Sequence, residues 1–194
     1  MATRTLRLAQ DRDADELLSH DPLALLVGML LDQQFPMERA FRAPWQLAQR
    51  LGRRRLDAAE IAAWDPDGLA KLMARPPALH RYPAAMAGRI QVLCAYLLKE
   101  YHGDAAELWR DAASGAELLK RVRALPGFGE QKARIFVALL GKQLGVRPEG
   151  WREAAGPYGL EGTHRSVADV TDADSLARVR AFKQAAKRAT AEQG

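Results

Sequence analysis

The chain has 194 residues, 48% of them hydrophobic, and 29 lysines and arginines against 24 aspartates and glutamates give a formal net charge of +5. This composition predicts a folded protein with a core and excludes a disordered chain. The positive charge permits a polyanionic partner without requiring one. The single cysteine, Cys94, excludes disulfides and four-cysteine iron–sulfur or zinc sites within the chain, and its apolar neighbours predict a buried, unreactive thiol.

We expect neither a targeting segment nor a membrane-spanning segment in this chain. Its N-terminal residues carry charges throughout and lack the apolar stretch of a secretory signal. The longest apolar run, residues 23–31, is too short to cross a bilayer. We therefore expect a cytoplasmic protein with no membrane partner.

Helix start and stop signals follow one another along the first third of the chain. Pro22 begins an apolar segment that we expect to form a central, buried helix. A second, short helix is expected between Pro44 and Gly52, and a third begins after Asp65, which is a favourable N-cap.

The remaining elements are also predicted to be helical. Apolar residues spaced three and four apart over residues 83–101 indicate a long helix that ends at Gly103. Two helices flank a Leu-Pro-Gly-Phe-Gly turn, and residues 146–164 read as an ordered loop with one short helix. A final helix is expected after a cap at Thr171 or Asp172. No segment alternates at period two, so the fold class is predicted to be all-α.

The turn between the two helices has the composition of a ligand site. Gly127 and Gly129 permit positive φ and the close approach of another molecule to the backbone, and Phe128 can fill the space between the helices. The exposed amide groups of a helix that begins near Gly129 would bind a phosphate. Lys132 and Arg134 would then face that phosphate. An ordinary corner between two helices, with a solvent-facing lysine, is the alternative.

Three segments carry a resemblance to a known family: LLVGMLLDQQFPMERAF (25–41), HRYPAAMAGRIQVLCAYLLKEYHGD (80–104) and LPGFGEQKA (125–133). In this order and spacing they resemble the HhH-GPD superfamily of base-excision DNA glycosylases. The resemblance implies one two-lobed helical unit over residues 1–194. Lobe A would span about 33–145 and contain the helix-hairpin-helix, 115–142. Lobe B would combine about 1–32 with 146–194.

The resemblance also implies a function. Members of this family flip a damaged base out of duplex DNA and fill the vacated space with a side chain. We expect a monomeric, monofunctional DNA glycosylase that acts on lesion-containing double-stranded DNA and associates with the nucleoid through it. A non-catalytic DNA-binding protein of the same fold, or a helical interaction domain without a DNA role, are the alternatives.

Site residues follow from matching positions. Gln34 matches the family's space-filling residue, with Gln33 beside it. The expected DNA contacts are Gln33, Gln34, Gly127, Phe128, Gly129, Gln131, Lys132 and Arg134. The resemblance further implies a monovalent cation, K⁺ or Na⁺, held by the backbone carbonyls of Arg123, Leu125 and Phe128. No other cofactor and no iron–sulfur cluster are expected.

The catalytic positions depart from the family pattern. The nucleophilic lysine of bifunctional members falls on Gln131, and Lys132 is rotated by about 100° around the helix axis. Nothing near Lys132 in the sequence suggests burial, so we expect it to contact phosphate and not to form a Schiff base. The catalytic aspartate would fall on Gly162. Asp169 or Glu161 could replace it, although Asp169 also suits a structural cap before the final helix.

Overall fold

The computed structural model describes residues 5–192, and these residues form helices and turns without a β-strand. The protein is therefore all-α, as predicted. The α-helices of this range are α1 (Arg12–His20), α2 (Pro22–Leu31), α3 (Met37–Arg50), α4 (Ala58–Ala63), α5 (Pro66–Ala74), α6 (Pro83–Tyr101), α7 (Glu107–Arg110), α8 (Gly115–Arg123), α9 (Glu130–Gln143), α10 (Trp151–Ala155) and α11 (Ala173–Glu192). Two 3₁₀ turns, Gly156–Gly159 and Val167–Asp169, complete the set.

Helix α2 is the central helix, and every residue from Leu23 to Leu31 is buried. Its N-terminus is fixed by Asp21, whose carboxylate accepts hydrogen bonds from the amides of Ala24 (3.1 Å) and Leu56 (3.0 Å). Asp21 thus pairs one N-terminal amide of α2 and one amide of the segment that precedes α4. The expected buried helix is thus confirmed.

Helix α3 differs from the prediction. It begins at Met37 rather than at Pro44, and Pro44 lies inside it. An interior proline removes one helical hydrogen bond. The apolar face of α3 compensates, because Phe41 packs so closely on α2 that a Cβ added to Gly28 would lie 2.7 Å from its ring. Helix α1, which Asp11 caps through the amide of Ala14, was not predicted.

The main helix packings fall into two sets. Helices α1–α6 pack among themselves, and α8 and α9 pack together with α10 and the two 3₁₀ turns, while α11 packs on the second of these turns. One continuous core of apolar side chains joins both sets. The two expected lobes, with boundaries near residues 33 and 145, stay a prediction.

Two sequence expectations concern α6 and the membrane. Cys94 is fully buried on α6, and burial raises the pKa of its thiol to about 12, which confirms the unreactive thiol. Within residues 5–192, no helix has both the length and the apolar character needed to cross a membrane.

Two glycines should respond to alanine in opposite ways. A Cβ at Gly141 would lie 2.3 Å from the Trp151 ring, whereas one at Gly88 would meet nothing within 4 Å. We expect Gly141→Ala to lower the free energy of unfolding by about 1–3 kcal/mol because the buried indole must move. Gly88→Ala, the matched control in α6, should raise it by up to about 1 kcal/mol. Denaturant unfolding measures both, and equal effects would contradict the packing of Trp151 on α9.

Candidate nucleic-acid interface

The hairpin between α8 and α9 forms as predicted, but its two glycines differ. Gly127 has a φ of +84°, and a Cβ there would lie 2.5 Å from Cδ1 of the buried Leu30. The turn and its contact with α2 therefore both require glycine at this position. Gly129 does not use the positive φ that glycine permits, since its φ is −79°.

Gly129 is the residue that the hairpin leaves open. It is the N-cap of α9, no side chain of the described residues caps this helix, and a Cβ at Gly129 would meet nothing within 4 Å. Neither backbone conformation nor packing thus requires glycine here. The missing side chain leaves the first amide groups of α9 accessible from outside.

Phe128 fills the space between the two hairpin helices, as expected. Its side chain is buried and meets the ring of Phe136 edge to face, with centroids 6.2 Å apart. A ligand outside the hairpin can therefore contact only the backbone of Phe128. The predicted DNA contact of Phe128 is therefore limited to its backbone atoms.

Lys132 corrects the sequence expectation most clearly. Its ammonium group does not point outward but donates to the carbonyls of Met29 (2.7 Å), Leu30 (3.2 Å) and Asp32 (3.5 Å). These carbonyls lie at the C-terminal end of α2, where the helix dipole favours a cation. Burial lowers the pKa of Lys132 to about 8, so the prediction that it lies in an unburied setting was wrong.

The guanidinium group of Arg134 also makes its contacts within the protein. Its Nε donates to the Glu130 carboxylate at 2.7 Å and its Nη1 to the Ala154 carbonyl at 3.2 Å. Glu130 pairs in addition with Arg123 at 2.7 Å. An acidic side chain in the first turn of α9 suits the dipole and offsets the two arginines around it. The expectation that Arg134 faces a phosphate finds no support in these contacts.

The two glutamines after α2 have different surroundings. Gln33 donates from Nε2 to the Leu30 carbonyl at 2.9 Å, and its Oε1 accepts from Arg89 at 3.2 Å. Gln34 is exposed and adopts a φ of +51°, which is uncommon for a residue with a side chain. Gln33 thus holds the loop, and Gln34 is presented at its tip.

A buried histidine that the sequence analysis did not consider supports this loop. The Nδ1 of His80 accepts from the Tyr82 amide at 3.0 Å, so its Nε2 carries the proton and donates to the Gln33 carbonyl at 3.1 Å. Burial lowers the pKa of His80, which agrees with a neutral ring. The ring of Phe35 lies on it, with centroids 4.8 Å apart.

Asp32 and Lys183 were also missed. The side chain of Asp32 is 10% exposed, and its Oδ2 lies 3.7 Å from Nζ of Lys183 on α11. Burial raises the pKa of Asp32, while Lys183 and Lys132 oppose that rise. An aspartate directly after an apolar run was the available signal, but a lysine about 150 residues later in the chain gave none.

A groove lies beside this pair, between α9 and α11, with a volume of about 420 Å³. The hydroxyl of Tyr158 accepts from Nε2 of Gln131 at 2.9 Å on one side, and the partly exposed ring of Phe182 lies on the other. Lys183 and Arg165 add positive charge. The lining combines two aromatic rings, one amide and two cations.

The carboxylates predicted to be catalytic lie elsewhere. Asp169 is 5% exposed, and its carboxylate accepts from Lys142 at 2.6 Å and from the Arg165 amide at 2.8 Å. It closes a capping box on the last 3₁₀ turn, so it is a structural carboxylate. It does not cap the final helix, where the Asp172 carboxylate accepts from the Ser175 amide at 2.7 Å. Lys142 follows Gly129 by thirteen residues of α9, a rise of about 20 Å. Glu161 is largely exposed and pairs with Arg152.

The remaining expectations concern metals. The carbonyl of Leu125 accepts from the Phe128 amide at 3.1 Å, which leaves it a second lone pair for a cation. Across residues 5–192, no three His, Cys, Asp or Glu side chains come together as a metal site. The carbonyl site for K⁺ or Na⁺ uses no such side chain and stays a prediction.

Comparisons with models of known protein families, with curated proteins and with solved structures give no match.

The burial of Lys132 should appear in the pH dependence of stability. Its pKa is about 8 in the folded protein, against about 10.4 for an unfolded chain. Between these values the unfolded chain binds the extra proton, so stability rises with pH. Relative to Lys132→Met, the free energy of unfolding of the unmodified protein should increase by up to about 3 kcal/mol across this window.

Urea unfolding at pH 7, 8, 9 and 10 measures this difference. Lys99→Met is the matched control, since the Lys99 side chain is 82% exposed. Its stability should follow that of the unmodified protein at every pH. If the Lys132→Met and Lys99→Met curves run parallel, the ammonium of Lys132 is not buried in solution.

Proposed function

We propose that this protein binds duplex DNA through the α8–α9 hairpin and acts on a damaged base, as a monomeric relative of the HhH-GPD glycosylases. The observation that carries the proposal is Gly129. It is a glycine that the fold does not need, placed at an uncapped helix N-terminus with free space in front of it. Such a position suits the close approach of a phosphate to backbone amides.

The loop after α2 supports the same proposal. Gln34 is exposed at the tip of this loop, and the hydrogen bonds of His80 and Gln33 anchor the loop to the rest of the protein. A rigid loop with one projecting amide suits insertion into the space that a flipped base leaves. The groove between Tyr158 and Phe182 then offers stacking surfaces, and Gln131 offers hydrogen bonds for the base.

The structure changes which carboxylate we propose for catalysis. The Asp169 carboxylate is already bound by Lys142 and the Arg165 amide, and Glu161 pairs with Arg152. Asp32 instead lies between Lys132 and the groove residue Lys183. We propose that the Asp32 carboxylate stabilises positive charge on the sugar while water attacks the anomeric carbon. The N-glycosidic bond breaks, a C–O bond forms, and the base leaves with a proton from water.

A second candidate is DNA binding without catalysis. The observation in its favour is that Asp32 already has a counter-ion in Lys183 and is largely buried. Both candidates use the same hairpin and loop. In either case the carbonyls of Arg123, Leu125 and Phe128 would hold a monovalent cation, whose positive charge would attract a DNA phosphate.

DNA binding by the hairpin can be tested with a substitution that should not destabilise the fold. Aspartate is a better N-cap than glycine, so Gly129→Asp should raise the free energy of unfolding by about 0.2–0.5 kcal/mol. Its carboxylate would occupy and repel the proposed phosphate site, so we expect DNA affinity to fall by at least tenfold. Fluorescence anisotropy with a labelled duplex and thermal unfolding measure the two effects.

Gln49→Glu, at an exposed position of α3, is the control for net charge. It adds one negative charge outside the hairpin and should change DNA affinity little. Unchanged affinity in Gly129→Asp, with the unmodified protein binding DNA, would remove the hairpin from the interface.

Catalysis is tested on a panel of duplexes that each carry one damaged base. If a substrate is found, Asp32→Asn should lower turnover by on the order of 100-fold or more, with DNA affinity retained. Asp169→Asn and Glu161→Gln should retain turnover in those molecules that remain folded. The product should be an intact abasic site, with no adduct trapped by borohydride, because Gln131 is not nucleophilic and Lys132 points into α2.

Three results would contradict this assignment. Full turnover in Asp32→Asn would show that another group carries the reaction. A borohydride adduct that Lys132→Met abolishes would establish a lyase. Tight DNA binding without turnover on any lesion would favour the second candidate.

A further inference from the structure

The C-terminal half of α11 is exposed along its length. Val179 is its last buried residue, and every residue from 180 to 192 is exposed. Its inner part, up to Ala186, still lies against the protein through two ion pairs and the groove. The outer part, residues 187–192, extends about 9 Å beyond these contacts at 1.5 Å per residue. We call residues 180–192 the C-terminal arm.

The arm is basic along its length. It carries Arg180, Lys183, Lys187 and Arg188, with Glu192 as its one acidic residue. Arg180 pairs with Glu38, and Lys183 lies near Asp32. Lys187 and Arg188 form no ion pair with any residue in the 5–192 range. The charge of the arm therefore remains unbalanced toward its outer end.

The orientation of the arm follows from its two inner ion pairs. Arg180, Lys183 and Lys187 are spaced three and four apart and therefore share one face of the helix. Glu38 and Asp32, the partners of the first two, flank the loop that presents Gln34. Lys187 lies one turn, about 6 Å, further along the same face.

We infer that the C-terminal arm is a second contact for the phosphate backbone of duplex DNA, which it meets beyond the hairpin through Lys187 and Arg188. This inference rests on the proposed function. Phosphates follow one another at about 3.4 Å along each DNA strand, so the neighbouring side chains of Lys187 and Arg188 can contact two of them. The arm would contribute affinity without base specificity.

The composition of the arm favours DNA over a membrane surface. A helix that lies in a membrane interface needs an apolar face with large side chains. Phe182 is the one large apolar residue among residues 180–192, and the others are alanines and polar residues. The arm offers charge for an anionic surface but little to insert into a lipid layer.

The test compares two double variants that each remove two neighbouring positive charges. Lys187→Ala/Arg188→Ala changes the arm and keeps good helix formers. Arg54→Ala/Arg55→Ala, at exposed positions between α3 and α4, is the matched control. Affinity of the full-length protein for a 24-base-pair duplex is measured by anisotropy over a range of salt concentrations, and circular dichroism checks helix content.

We expect the arm variant to bind DNA several-fold more weakly at moderate salt. Its plot of log affinity against log salt should be less steep by about 1.8, or 0.9 for each lost phosphate contact. The control variant should keep the slope of the unmodified protein. Vesicles of phosphatidylserine and phosphatidylcholine are tested with the same three proteins, and we expect no binding that depends on the arm.

Failure of this inference is distinguishable from failure of the proposed function. If Gly129→Asp abolishes binding but the arm variant keeps the full slope, the arm is not a contact while the proposed function stands. An equal loss of slope in both double variants would show an effect of net charge and overturn the inference. If the unmodified protein does not bind duplex DNA, both the inference and the proposed function are wrong. Vesicle binding that is lost in the arm variant would assign the arm to membranes.

Discussion

The ammonium of Lys132 on the C-terminal carbonyls of α2 connects the two sets of helices at the place where the candidate interface forms. Helix α2 is buried on all sides, so its terminal carbonyls have little access to water and need donors from the protein. Lys132 supplies these donors from the first turn of α9, and Gly127 lets the hairpin approach Leu30 closely enough for this contact. The end of α2 therefore positions the hairpin, and the loop with Gln34 begins at that same end.

The same interaction accounts for a lysine near a helix N-terminus, where the dipole of its own helix disfavours it. In α9 the cation is turned toward the negative end of another helix, and Glu130 stands at the N-terminus of α9 itself. The open side of the turn is then left to backbone amides. The proposed interface, with amides at Gly129 and a projecting Gln34, uses few charged side chains, which is consistent with the internal ion pairs of Arg134 and Arg123 with Glu130.

Features that depend on neighbours in the sequence were predictable. The cap at Asp21 and the cap at Asp65 with its following proline are local, and both helices begin where these signals place them. The prediction that a helix begins at Pro44 was wrong because the packing of Phe41 on α2 outweighs the helical hydrogen bond that an interior proline removes. The direction of Lys132, the pairing of Asp32 with Lys183 and the support from His80 depend on residues roughly 50 to 150 positions away, for which the sequence contains no local signal.

Whether a carboxylate can take part in a reaction depends on how many protein groups already bind its oxygens. Asp169 follows a threonine–histidine pair in the sequence, yet four groups, including the Lys142 ammonium and backbone amides, already occupy its oxygens. A carboxylate so engaged has no lone pair free for a substrate. Asp32 has one cation, Lys183, at 3.7 Å, and Lys183 also lines the groove, so Asp32 has fewer protein partners than Asp169. Burial raises the pKa of Asp32, and the positive charges of Lys183 and Lys132 oppose that rise. The cations that join the helices at this junction thus also favour the charged form of Asp32, which is the form that the proposed reaction requires.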